Sequence, residues 1–196
     1  MAVDRDPILA PPLADALDWL ECAGCDSDFD NLNAIFFRPQ LLELREAGTF
    51  WLSDRPHEPH SITWENAEPR FVTWARFAHR ASGRAFLVYN SHLDHRNQPW
   101  RLRSIEAILS EAAERAADLP LVLTGDLNAK PHWPELDMLL RDGNNSPHLP
   151  LIDHRAELGA DETVAGTFHS FDAEPDFARI DCILTTPHPR TASPSW

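Results

Sequence analysis

Residues 84–125 constrain the fold more than any other part of the chain. Arg84–His92 (RAFLVYNSH) reads as an apolar strand. Asn97 and Pro99 are helix-start signals, and Leu102, Ile105, Ile108, Leu109, Ala112 and Ala116 then recur at helical spacing until Pro120 stops the helix. Leu121–Thr124 is a second short apolar strand, running into Gly125. This strand–helix–strand unit places the chain in the α/β class, and the outer segments add strands to it.

Those outer segments read as follows. Ala34–Arg38 is a short buried strand, and Leu41–Trp51 is an apolar segment in which Gly48 is expected to turn the chain. Arg70–His79 alternates, with Phe71, Thr73, Ala75 and Phe77 on one face, and should form a hairpin with the strand at 84–92. Trp133–Leu140 reads as a helix, residues 141–150 as a loop, and Thr167–Phe171 and Arg179–Leu184 as strands. Residues 1–32 are Pro- and Asp-rich and are expected to be irregular, apart from a helical piece at Leu13–Leu20. Residues 33–184 form the domain, and 185–196 is a Pro-rich tail.

Composition narrows the function. No apolar run approaches the ~20 residues a membrane span needs, and the first residues carry acids where a secretory signal carries bases. A cytoplasmic protein without a membrane span is expected. With 17 basic and 31 acidic residues the net charge is −14. Such a surface repels a nucleic-acid backbone and favours small phosphorylated substrates, without excluding a nuclease. Cys22 and Cys25 have a spacing suited to zinc or thiol exchange. No second pair accompanies them, so an incidental thiol pair is expected.

Three segments place ionisable groups at the ends of apolar strands: Asn90-Ser91-His92-Leu93-Asp94-His95, Gly125-Asp126-Leu127-Asn128 and Arg179-Ile180-Asp181. A sheet holds such groups rigidly at a mouth open to substrate. Asp126 and Asn128 point the same way, where a carboxylate can orient water and an amide can hold an oxygen; an Asx turn accounts for them equally well. His92 and His95 suit phosphate binding or zinc, or are solvated turn residues. Asp181 either orients a histidine, binds a metal, or faces solvent beside Arg179.

As a set, N-x-H-x-D-H, T-G-D-x-N, G-T-F-H-x-F and R-I-D-x-I resemble the endonuclease/exonuclease/phosphatase superfamily, as do Asn33–Arg38, Gly48–Ser53, Pro56 and Arg101. The resemblance runs from about Asn33 to Leu184. It implies a two-layered β-sandwich flanked by helices. It also implies hydrolysis of a phosphodiester or phosphomonoester, in a small molecule or nucleic acid, with Mg²⁺ or another divalent cation as cofactor. By this resemblance His92 contacts the scissile phosphate and Asp54 orients that histidine. Asp126 and Asn128 position the attacking water and the phosphate, and Asp181 orients a second, C-terminal histidine. The family's Gln-Glu pair, whose glutamate is its main metal ligand, and its terminal Ser-Asp-His have no counterpart in this sequence. The expectation is a domain shortened at both ends, with a non-catalytic homologue that keeps phosphate or partner binding as the alternative.

Overall fold

The computed structural model describes residues 21–23, 33–66, 68–116, 119–140, 151–157, 166–168 and 179–187. Among these, six strands form one sheet in the order β3-β4-β5-β6-β8-β7: β3 (Leu42–Trp51), β4 (Phe71–His79), β5 (Ala85–His92), β6 (Leu121–Asp126), β8 (Asp181–Thr185) and β7 (Ile152–Asp153). A two-stranded sheet pairs β1 (Glu21–Ala23) with β2 (Ile35–Phe37). The helices are α1 (Gln98–Ala116), α2 (Pro134–Leu140) and the single turn α3 (His154–Glu157). The chain is thus α/β and sandwich-like, and among the described residues no helix is long and apolar enough to cross a membrane.

The sheet grows from the strand–helix–strand unit. β5 and β6 are parallel, which requires a long crossover, and α1 supplies it. Ile105, Ile108, Leu109 and Ala112 lie on one face of α1 and are buried against Leu87 and Tyr89 of β5 and Leu121 and Leu123 of β6. β4 and β5 form the expected antiparallel hairpin. β4 is buried on both faces: Val72 and Trp74 join the helix-side core, while Ala75 and Phe77 pack against Ala23, Ile35 and Phe37 of the small sheet.

Three expectations are corrected. Gly48 does not turn the chain but lies inside the continuous strand β3, opposite Trp74, whose ring leaves only 3.0 Å to where a side chain would begin. The segment expected to be irregular contributes β1, because Glu21–Ala23 finds Ile35–Phe37 as a partner and buries Ala23 on Phe77. Cys22, on that strand, is disulfide-bonded rather than a free thiol. The helix-like piece at 13–20, the loop at 141–150, the tail from residue 188 and most of the strand expected at 167–171 lie outside the described residues.

Gly125 sets the register of β5 on β6. Its φ is +140°, a region open to glycine alone, and a Cβ there would lie 1.9 Å from the carbonyl oxygen of Ser91. Ser91 and Gly125 are register partners, so the neighbouring pair, His92 and Asp126, is aligned by the same contact. Replacing Gly125 with alanine should cost about 3 kcal/mol or more, from backbone strain and displacement of Ser91. Urea unfolding measures this, and an unchanged midpoint would refute the contact.

Candidate active site

One face of the sheet changes character along its strands. On β5 the side chains facing the small sheet run Phe86, Val88, Asn90, His92; the first two pack on the second core, and the last two are polar. Asn90 marks the boundary. Its amide donates to the Ala34 carbonyl at 3.1 Å, and its oxygen accepts from the Thr124 hydroxyl at 3.2 Å. Beyond it the register sets His92, Asp126 and Asp181 side by side on three neighbouring strands. His92 Nε2 lies 3.6 Å from Asp126 Oδ2.

The loops leaving these strands are laced together. Asp126 Oδ1 accepts from the Asn128 amide N–H at 2.8 Å, and the Asn128 side-chain amide donates to the Leu93 carbonyl at 3.0 Å. The Leu93 N–H donates to the Asp126 carbonyl at 3.0 Å, and the Leu127 N–H to the Ile180 carbonyl at 2.8 Å. Asn128 has φ +48°, a left-handed conformation that asparagine tolerates better than most residues. The Asx turn and the candidate site are therefore one structure, since the turn fixes the Asp126 carboxylate.

Asp54 does not orient His92. Its carboxylate accepts from Trp64 Nε1 at 2.9 Å and from the Arg103 guanidinium, which also stacks on the Trp64 ring. Arg103 lies on α1, so these partners hold Asp54 toward the helix side of the sheet. The shorter Asp side chain finds a nearer cation than the histidine. Asp181 is exposed in its register position beside Asp126.

Two buried charges near the candidate site were not foreseen from the sequence. Arg70 is 4% exposed, and its charge acts on both His92 and Asp126. Its signal was its place just before β4, which pairs Val72 with Ser91 next to His92. Glu135 is fully buried, with its Oε1 2.7 Å from Nε of Arg101. One acid inside an apolar helix pattern gives no such signal.

Burial is the main force on the ionisable pair. It pushes the His92 pKa below the usual histidine value, and the nearby Arg70 charge adds to this, while Asp126 and Asp181 pull the other way. Burial pushes Asp126 above the usual carboxylate value, opposed by the Asn128 N–H and the imidazole. His92 is thereby biased to the neutral imidazole, and Asp126 becomes a stronger base. Among the described residues, no three His, Cys, Asp or Glu side chains come together as a metal site.

The profile described as Endonuclease/Exonuclease/phosphatase family matches residues 8–196. The chain resembles a solved protein of that family from Bacteroides thetaiotaomicron at 29% identity and TM-score 0.73, covering 90% of this chain and 64% of that one. It resembles another from Bacteroides vulgatus at 26% identity and TM-score 0.74, covering 89% and 67%. A mannosyl-6-phosphatase from Bacteroides thetaiotaomicron is similar at 28% identity and TM-score 0.70, covering 90% and 66%. The chain spans about two thirds of the length of these structures. No curated protein matches it.

The His92 shift carries a sign. In the fold His92 takes up its proton at lower pH than in the unfolded chain, so below about pH 6.5 the unfolded chain binds more protons and this site's contribution to stability declines. His92→Asn should make the thermal midpoint less steeply dependent on pH between about 6.5 and 5. A slope equal to or steeper than that of the parent chain would mean that His92 titrates freely.

Proposed function

Because the chain belongs to the endonuclease/exonuclease/phosphatase family, we propose that it hydrolyses a phosphate ester at the row formed by His92, Asp126 and Asp181. The supporting observation is the register, which sets an imidazole and two carboxylates on adjacent strands with the buried cation Arg70 beside them. The neutral His92 ring donates a hydrogen bond to a phosphoryl oxygen, and Arg70 offsets the phosphate's charge. Asp126 orients a water and accepts its proton as the water attacks phosphorus; the ester P–O bond breaks, and the alcohol leaves with a proton taken from solvent. Asn128 acts through Asp126: its N–H fixes the carboxylate, and its side-chain amide ties the turn to the β5 loop. Mg²⁺ or another divalent cation is the cofactor the family implies, and none of these steps is routed through it.

A phosphomonoester is the first substrate to test. The name of the mannosyl-6-phosphatase relative supports that class, and a net charge of −14 disfavours a nucleic-acid backbone. His92→Ala and Asp126→Ala should each reduce the hydrolysis of p-nitrophenyl phosphate by about 10²-fold or more, with an unchanged far-UV spectrum. Asn128→Ala should fall by a similar order, through the loosened carboxylate. The assay is run with Mg²⁺ and with a chelator. Inorganic phosphate binding with no turnover in either condition would leave phosphate binding as the function and overturn hydrolysis.

A further inference from the structure

His95 lies between two guanidinium groups. Arg70 Nη2 is 3.3 Å from its Nδ1, and Arg96 Nε is 3.0 Å from its Nε2. A neutral imidazole has one lone pair and one N–H, so it can accept from only one of these donors; the other donor faces an N–H, and a protonated ring accepts from neither. The Nε of Arg70 is also buried without a hydrogen-bond partner. Such a donor is costly in a protein interior and calls for an explanation.

The nearby acids do not relieve the crowding. Glu68 Oε2 is 3.9 Å from Arg70 Nη2, beyond hydrogen-bond distance. Asp94, buried in the same loop, spends its Oδ1 on the N–H groups of Arg96 and Asn97. Arg101 is neutralised by Glu135 and does not add to the group. The result is a knot of donors in a chain that is acidic overall.

We infer that Arg70, His95 and Arg96 form an anion-binding subsite, which takes a second phosphate or carboxylate group of the substrate. The oxygens of such a group accept from both guanidiniums and from the ring N–H at once, which removes the donor–donor conflict. Arg70 links this subsite to the reacting row, because its charge also reaches His92 and Asp126. The substrate class is then a phosphate ester carrying another anionic group close to the scissile phosphorus. Its being part of a substrate rests on the hydrolytic reading; the anion site itself rests on the knot of donors.

Calorimetric titration of the full chain with inorganic phosphate and with pyrophosphate tests this. Pyrophosphate, with two linked anionic groups, should bind at least about tenfold more tightly than phosphate. Arg96→Gln and His95→Ala should each shrink that preference to about twofold. Arg80→Gln removes the same charge at the far turn of the β4–β5 hairpin and should leave the preference intact. Equal affinities in the parent chain, a preference that survives both subsite substitutions, or an equal loss in Arg80→Gln would overturn the subsite. The preference in a chain that hydrolyses no ester would support the subsite and overturn the hydrolytic reading. Hydrolysis without the preference would do the reverse.

Discussion

Arg101 and Glu135 meet at 2.7 Å, both almost wholly out of water. Arg101 stands at the start of α1, which follows the β5 loop, and Glu135 at the start of α2, which follows the β6 loop. Each charge has further partners. Arg101 also donates to the Asp94 carbonyl at 3.1 Å and lies over the Trp133 ring, and Glu135 accepts from the Gln98 amide at 3.3 Å. Burying two charges is expensive, and only this completeness offsets it; stranding either one would cost about 3–5 kcal/mol. The pair prevents the two loops from separating, and these are the loops that leave directly from His92 and Asp126. Precision at the mouth of the sheet is thus supplied from its helical side.

The site face shows how one sheet surface serves two purposes. Toward one end of β5, Phe86 and Val88 pack against the small sheet and contribute to stability. Toward the other, Asn90 and His92 face polar neighbours at the candidate site. The transition needs a side chain that satisfies both environments. Asn90 does this, since one amide reaches across to the Ala34 carbonyl and along to Thr124. Asn33 makes a similar tie, donating to the Phe71 carbonyl at 2.8 Å, so the polar end stays joined to the small sheet.

What was legible in the sequence was what local pattern encodes. The period of α1, the strands beside it and the Gly-Asp-x-Asn turn all follow from residues close together in the chain. His92, Asp126 and Asp181 were each visible as polar groups at strand ends, and the pairing of β6 with both β5 and β8 accounts for their alignment. The misreadings share a cause, which is a partner far away in sequence. Gly48 looks like a turn until Trp74 is laid against it. Asp54 looks like a partner for histidine until Arg103 arrives on a helix 49 residues later. Arg70 looks like an ordinary charge at a strand edge until folding removes it from water. Glu21–Ala23 is too short to declare itself and becomes a strand only because β2 is there to pair with it.

The Ser91–Gly125 contact also shapes how this sequence is free to drift. At Gly125 every alternative residue brings the same first carbon into the Ser91 backbone, so no small step is neutral and no gradual route leads away. Across the contact the situation is reversed. The obstructing atom of Ser91 is its carbonyl oxygen, which every residue type possesses, so the contact places no demand on the side chain there. Two facing positions in one ladder therefore have opposite histories open to them: one is frozen by its backbone, while the other answers to its burial and to its hydroxyl bond with the Phe71 carbonyl.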